Sequence, residues 1–212
     1  MSPDRRPIRF IDRRTGRTEE EQIYGEAFLR WAYGTGAGQA ALHALVKRPF
    51  FSHWYGWRMS QPGSRRRIER FVRDYGVDAG ECAEPLADYE SFNDFFSRRL
   101  KSGARPLDDR PGRVVFPADG RHLCLPDLGA ADGFFVKGQR FDLDRFLADP
   151  VLAGRFRNGS LLCSRLCPVD YHRFHFPLAG RATPGRLIEG PLFSVSPIAL
   201  ARRLAYLWEN KR

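Results

Sequence analysis

The sequence contains no long apolar run. No stretch of its 212 residues approaches the roughly 18 successive apolar residues that a membrane-spanning helix needs. The arginines near the N-terminus are not followed by an apolar segment, so the pattern of a secretory signal is missing as well. We therefore expect neither an integral membrane protein nor a cleaved export signal.

Cysteine is scarce, and the usual motifs for a nucleophile or a zinc site are absent. Cys163 and Cys167 lie four positions apart, but no second cysteine or histidine pair with zinc-ligand spacing accompanies them, while Cys82 and Cys124 are isolated. We expect reduced thiols in a cytoplasmic protein. Neither Gly-x-Ser-x-Gly nor His-Glu-x-x-His occurs, so no serine nucleophile or zinc protease is indicated.

Positive charge is abundant, with 35 lysines and arginines against 25 acids and a net charge of +10. Such a balance points to an anionic partner, either nucleic acid or an acidic membrane surface. No nucleic-acid-binding motif accompanies the charge, so no nucleic-acid partner is expected. Twelve of the 35 basic residues lie in two arginine clusters: Arg5, Arg6, Arg9, Arg13, Arg14 and Arg17, and then Arg58, Arg65, Arg66, Arg67, Arg70 and Arg73.

Residues 1–76 have the pattern of a helical, basic and aromatic region. Helical spacing predicts helices over Glu19–Trp31, over Gln39–Lys47, and from an N-capping Ser64 to a C-capping Gly76. The segment 50–59 between them is the most aromatic of the chain. Tryptophan and tyrosine favour the bilayer interface, yet they pack equally well inside a protein, so both interpretations stay open.

Residues 77–212 have a different pattern, with one predicted helix beginning at Ser91 and then short apolar runs separated by Gly and Pro. These runs predict strands, interrupted by a short helix over Leu143–Leu147. The predicted fold class is α+β, with a helical N-terminal portion followed by a β-rich body. The strand candidates are Val114–Phe116, Leu123–Leu125, Phe134–Val136 and Leu161–Cys163.

Three residues stand out as candidates for chemistry. Asp119 lies in an Asp-Gly pair, which by itself only indicates a turn. His172 and His175 lie three positions apart among aromatic and basic residues, and histidine is well suited to proton transfer near neutral pH. Two structural histidines, or a metal site that includes Asp170, would give the same pattern, although no known metal motif supports a metal and none is expected.

Taken together, several short blocks resemble the phosphatidylserine decarboxylase family. They occur in the family's order, cover nearly the whole chain, and include two specific blocks, Asn-Asp-Phe-Phe and Asp-Tyr-His-Arg-Phe-His. The blocks are Arg13–Gly16, Tyr24–Ala27, Lys47–Ser52, Phe92–Lys101, Arg105–Leu107, Pro117–Gly120, Lys137–Gln139, Cys167–Pro177 and Leu192–Val195.

The resemblance implies a self-cleaving proenzyme that converts phosphatidylserine to phosphatidylethanolamine and carbon dioxide. Family members cut themselves at a Leu-Gly-Ser-Thr sequence, and the serine becomes a pyruvoyl group that serves as electron sink. An Asp-His-Ser relay performs the cleavage. By motif position Asp119 corresponds to the orienting acid and His175 to the base, and His172 to a pocket residue that assists the decarboxylation.

The sequence departs from the family in two places. It contains no Leu-Gly-Ser-Thr, and Ser196 stands where asparagine is usual. We therefore expect a decarboxylase body incomplete at its C-terminus, which needs a further pyruvoyl chain as partner and whose unpaired strand edges favour homo-oligomers. The alternative is a non-catalytic, membrane-binding remnant of the same fold.

The resemblance also implies a location. Phosphatidylserine is an anionic lipid, and the basic, aromatic region 1–76 would dock on the membrane that contains it. The expected location is peripheral, on the cytoplasmic face of the cell membrane.

Overall fold

The computed structural model describes residues 7–108, 110–129, 135–136 and 139–212. Helices and short strands are mixed along the chain, about 40% and 9% of it, so the predicted α+β class is confirmed. In the described part of the chain, no helix combines the length and the apolar character that crossing a bilayer requires. The four cysteines form no disulfide with one another.

Helices form most of the regular structure. A π-helical turn, Leu42–Val46, directly follows the helix that ends at Ala41, and a 3₁₀ turn, Pro62–Arg67, directly precedes the helix that begins at Ile68. The α-helices are α1 Glu26–Gly34, α2 Gly36–Ala41, α3 Pro49–Met59, α4 Ile68–Tyr75, α5 Phe92–Phe96, α6 Leu143–Leu147, α7 Pro150–Phe156, α8 Pro197–Arg202 and α9 Tyr206–Glu209.

The strands of the described residues are short: β1 Arg9–Ile11, β2 Thr18–Glu20, β3 Arg121–Leu125, β4 Phe135–Val136, β5 Gln139–Arg140 and β6 Leu161–Arg165. They pair two by two, β1 with β2, β3 with β6 and β4 with β5. The strand predictions at Leu123–Leu125 and Leu161–Cys163 are confirmed, because they fall within β3 and β6.

The β-rich body was overestimated. Val114–Phe116 is not a strand, because prolines and a glycine flank it. Val115 N donates a hydrogen bond to the Pro177 carbonyl at 3.2 Å, but this bond does not extend into a ladder. Some predicted residues lie outside the described ones and remain untested. These are Phe134, the Lys137 and Gly138 of one family block, and Arg5 and Arg6 of the first basic cluster.

Two helix predictions were wrong at their starts. Glu19 and Glu20 lie in β2 rather than in a helix, because Glu20 pairs across the ladder with Arg9. Ser64 does not cap α4. Its buried hydroxyl donates to the carbonyls of Met59 and Gln61 and accepts from the Phe92 amide at 2.9 Å. Tertiary pairing overrode local propensity at both positions.

Other predictions from local sequence are confirmed. Gly76 ends α4 in the left-handed conformation, with φ 63°, and the Ser91 hydroxyl accepts from the Asp94 amide as the N-cap of α5. α6 spans the predicted Leu143–Leu147. Ser196, the departure from the family, caps α8 by accepting from Ala199 N. Serine and asparagine cap equally well, so this departure preserves the turn.

The chain divides into two compact units by contacts. The first comprises Met1–Ser52, Leu123–Cys163 and Gly185–Arg212, and the second His53–His122 and Ser164–Pro184. The predicted division at residue 76 follows composition rather than contacts and stays a prediction. In the second unit, Phe71, Phe92 and Phe95 form an aromatic core in which Tyr89 meets Phe95 edge to face. The first unit's core consists of Ala32, Tyr33, Leu42, Phe193, Ala199 and Tyr206.

Candidate active site

The Asp-Gly pair at 119–120 forms the predicted bend, and the backbone of Gly120 lies close to another segment. Gly120 has φ 134°, and a Cβ at this position would lie 2.6 Å from the Arg165 carbonyl oxygen. Only glycine tolerates both the positive φ and this approach. The bend therefore fixes where Asp119 stands relative to the end of β6.

Gly120→Ala is expected to lower the free energy of unfolding by about 2–4 kcal/mol, since it adds left-handed strain to a backbone clash. Gly112→Ala is the matched control, because Gly112 has φ 78° but a Cβ added there would meet nothing within 4 Å. It should cost only about 1 kcal/mol. Equal losses in chemical denaturation would contradict the close approach at Gly120.

The Asp119 carboxylate is held by a guanidinium. Arg105 donates from Nε to Oδ1 at 2.9 Å and from Nη2 to Oδ2 at 2.7 Å, and its other edge binds both oxygens of Glu81 at 3.0 Å. These bonds, those to Asp119 first and those to Glu81 next, raise the pKa of Arg105 above its usual range. The guanidinium of Arg105, which is always charged, thus joins the carboxylates of Asp119 and Glu81.

Backbone hydrogen bonds hold the segment that carries Glu81 against the segment that leads to Arg105. The Glu81 carbonyl accepts from Lys101 N at 2.9 Å, and a β-bridge joins Cys82 to Leu100. Glu81 is therefore positioned just before the loop that carries Arg105.

His175 is tied to the same bend through its backbone. Its amide donates to the Pro117 carbonyl at 2.8 Å, two residues before Asp119. Its Nε2 is buried and has no hydrogen-bond partner within the described ranges, and no hydrogen bond joins its ring to the Asp119 carboxylate. Because a buried polar atom without a partner is energetically costly, this nitrogen is a candidate for a functional hydrogen bond.

His172 lies in a closed environment. Its Nε2 contacts the Cys167 carbonyl oxygen at 2.9 Å, so Nε2 carries the proton. The ring stacks on Phe96 with centroids 4.1 Å apart. Burial lowers the pKa of His172, which keeps the imidazole neutral near pH 7.

A short turn before His172 holds that arrangement in place. The Asp170 carboxylate accepts from Cys167 N at 2.6 Å and from Arg121 at 3.1 Å through both oxygens. Asp170 thus closes the turn whose carbonyl fixes His172. Its carboxylate is engaged with a cation, which does not favour the alternative in which it binds a metal with the two histidines.

Arginines and α5 connect the histidine block to the rest of the second unit. Arg173 donates to the Ser97 carbonyl at 2.8 Å, and the buried Arg98 donates to the Val169 carbonyl at 3.1 Å. In addition, the Asn93 amide donates to the Gly56 carbonyl at 3.0 Å and to Ser60 Oγ at 2.9 Å. α5 therefore contacts both the histidine block and the end of α3.

Sequence reasoning assigned no role to Arg105, Glu81 or Arg121. Arg105 belongs to a recognised block, but its partner Glu81 precedes it by 24 positions and lies in no block. Nothing in the sequence alone pairs them. An acid such as Glu81, ahead of a block that contains an arginine, is only a weak indication that the two pair. It becomes informative once the β-bridge between Cys82 and Leu100 is known to bring the two segments together.

α3 presents an aromatic surface. Of its eleven residues only Met59 is buried, while Phe50, Trp54 and Trp57 are 58%, 48% and 63% exposed. The second basic cluster follows directly and is exposed throughout: Arg58, Arg65, Arg66, Arg67, Arg70 and Arg73. The structure therefore does not bury these rings in the protein, which was one of the two open interpretations.

Comparisons with known proteins place the chain among relatives of one kind. The family model described as phosphatidylserine decarboxylase matches residues 92–212. A phosphatidylserine decarboxylase proenzyme from Fusobacterium nucleatum is 43% identical over 97% of this chain and 68% of its own length. Proenzymes of the same name from Chlamydia trachomatis and Desulfitobacterium hafniense are 41% and 37% identical over 98% and 97% of this chain, and 69% of their own lengths.

Proposed function

The chain belongs to the phosphatidylserine decarboxylase family, and we propose that it supplies the acid–base residues of a proenzyme that decarboxylates phosphatidylserine to phosphatidylethanolamine. Asp119, His175 and His172 are the residues proposed to act. The product is the amine lipid, and carbon dioxide leaves.

One observation carries this proposal. His175 Nε2 is buried without a hydrogen-bond partner among the described residues, and its backbone is fastened to the bend that holds Asp119. A base must keep a lone pair available for the proton it removes. At self-cleavage, His175 Nε2 would accept the proton of a serine hydroxyl, and Asp119 would orient and stabilise the resulting imidazolium.

The residues also fit a pyruvoyl group, because His175 Nε2 has no other hydrogen-bond partner among the described residues and can bond to the serine from which such a group is made. When bound, a pyruvoyl group supplies a carbonyl that serves as electron sink while carbon dioxide leaves. His172 would then hold a neutral ring on Phe96, with its proton fixed at Nε2 toward Cys167. Because Nε2–H is bound to the Cys167 carbonyl, Nδ1 is the ring atom that can take up a proton and return it during the decarboxylation.

The Glu81–Arg105 pair tunes Asp119 in this proposal. A guanidinium bound to Asp119 alone would form a neutral pair with little power to stabilise an imidazolium. Glu81 shares that guanidinium at 3.0 Å, so the group of three charges keeps a net charge of −1. The carboxylate is held in one orientation and yet retains negative potential toward His175.

Glu81→Gln is therefore expected to slow self-cleavage about tenfold, because the full positive charge of Arg105 then falls on Asp119. The test protein is a hybrid proenzyme, in which this chain is followed after Arg212 by the part of the Fusobacterium relative beyond its matched residues. Cleavage is followed by intact mass over time. Glu81→Asp is the control and should restore most of the rate, since it keeps the charge; equal slowing in both variants would indicate a merely structural role.

We also propose that the protein works at the cytoplasmic face of the cell membrane as a peripheral protein. The exposed aromatic rings of α3 and the adjacent arginines support this location. Rings of this type settle at the headgroup level, and arginines are attracted by anionic lipid, including the substrate.

The hybrid proenzyme also tests the reaction as a whole. We expect it to give two chains, of which the smaller one reacts with an aminooxy label for carbonyl groups. We also expect it to release labelled carbon dioxide from vesicles that contain phosphatidylserine with a labelled carboxyl group. A single unlabelled chain that releases no carbon dioxide would overturn the proposal. The alternative, a membrane-binding remnant without chemistry, would then account for vesicle binding alone.

A further inference from the structure

The first unit contains a cavity that the proposed reaction does not use. It has a volume of about 280 Å³, and its lining combines aromatic and apolar residues with polar and charged ones. The floor is buried and consists of Tyr33, Leu42 and Tyr206, which are at most 7% exposed. The rim is polar and exposed, formed by Gln39, His43, Arg202 and Arg203.

Both phenols of the floor retain a hydroxyl proton to donate. The Tyr33 oxygen accepts from Ser194 N at 2.8 Å, which leaves its own proton without an acceptor among the described residues. Burial raises the pKa of Tyr33 to about 12 and also raises that of Tyr206, so both hydroxyls stay protonated. Tyr206 is held rigidly, stacked on Phe193 with centroids 4.2 Å apart.

The rim adds further donors. Lys47 Nζ lies 3.3 Å from His43 Nδ1, and because an ammonium can only donate, Nδ1 accepts and Nε2 carries the proton. Arg203 forms an ion pair with Glu209, whereas Arg202 is exposed and pairs with no acid in the described part of the chain. No carboxylate is among the described residues that line the cavity.

We propose that this cavity is a binding site for a phosphate-ester anion, either free in solution or carried by a lipid headgroup. A pocket lined by hydrogen-bond donors, with one guanidinium free of an acid partner and no carboxylate among its described lining residues, favours an anion with several acceptor oxygens. The volume suits a small ligand. Arg202 supplies the unpaired charge, and the tyrosine hydroxyls and His43 Nε2 supply directional hydrogen bonds.

The first arm of the test uses the chain itself and free anions. Inorganic phosphate and glycerol 3-phosphate are titrated calorimetrically into the protein in a buffer without other multivalent anions. We expect saturable binding that weakens about tenfold in Arg202→Ala and several-fold in Tyr206→Phe, since charge-assisted bonds are stronger than neutral ones. Tyr206→Phe retains the stack on Phe193, and thermal unfolding verifies that each variant is folded.

Arg155→Ala is the matched control, because Arg155 is an exposed arginine of the same unit, on α7, away from the cavity lining. The second arm measures binding to phosphatidylcholine vesicles with and without phosphatidic acid. If Arg202→Ala loses binding to the free anions, the result supports a soluble ligand. If it loses binding only to the vesicles that contain phosphatidic acid, the result supports a lipid headgroup. Equal weakening by Arg155→Ala, or no binding in either arm, overturns the proposal without bearing on decarboxylation.

Discussion

His175→Ala is expected to leave the hybrid proenzyme uncut, whereas His172→Ala should permit cleavage and abolish most of the decarboxylation. The two rings differ in what their Nε2 atoms do. In His175 this atom is buried and has no partner in the described part of the chain, and in His172 it is already bound to the Cys167 carbonyl. The former is available to remove a proton during cleavage, and the latter is fixed in one tautomer.

The expected size of the effect follows from general base catalysis, which contributes about 10²–10⁴-fold in rate. His175→Ala should therefore slow cleavage by at least about a hundredfold, and Asp119→Asn should act in the same direction. Cleavage is measured by intact mass, and turnover by carbon dioxide release from the fraction that has been cut. Normal cleavage in His175→Ala, or an uncut His172→Ala protein, would refute the assignment of roles.

Replacing Trp54 and Trp57 together with alanine is expected to weaken binding to phosphatidylserine vesicles about a hundredfold. Both rings are largely exposed on α3, and each one that enters the interface contributes on the order of 1–2 kcal/mol through its apolar area. The arginines beside them contribute about 1 kcal/mol each at low salt. Raising the ionic strength should therefore weaken binding steeply as well.

Cosedimentation with vesicles at two salt concentrations measures both contributions. Phe156→Ala is the matched control, because Phe156 is an aromatic residue 49% exposed on α7, a helix that also carries an arginine. It should leave binding unchanged. Binding that is indifferent to salt and to the loss of both tryptophans would exclude α3 as the docking surface.

Features encoded by neighbouring residues were predictable from the sequence. The bounds of α6, the N-cap at Ser91 and the C-cap at Gly76 depend on side chains within one turn. The start of the first helix was not, because Glu20 pairs with an arginine on another strand. Local acids favour a helix N-terminus only where no ladder competes for them.

The candidate site likewise has one part that the sequence predicts and another that depends on the fold. The blocks around Asp119 and His175 resemble those of the family, and the structure joins these segments through the bond from His175 N to the Pro117 carbonyl. The resemblance did not indicate that the Asp119 carboxylate is occupied by Arg105, or that Glu81 shares that arginine. Such long-range charge sharing depends on the fold and leaves no periodic pattern in the sequence.

The position of α5 has a mechanical consequence. One of its ends is anchored by Asn93 to the last turn of α3, and the other presents Phe96 to the ring of His172. With only five residues, α5 is about one and a half turns long, so its contacts with α3 and with His172 lie close together in one short helix. In the proposed docking mode, a tilt of α3 on the membrane would reach the ring of His172 through these contacts, so the lipid surface would also influence the orientation of that imidazole.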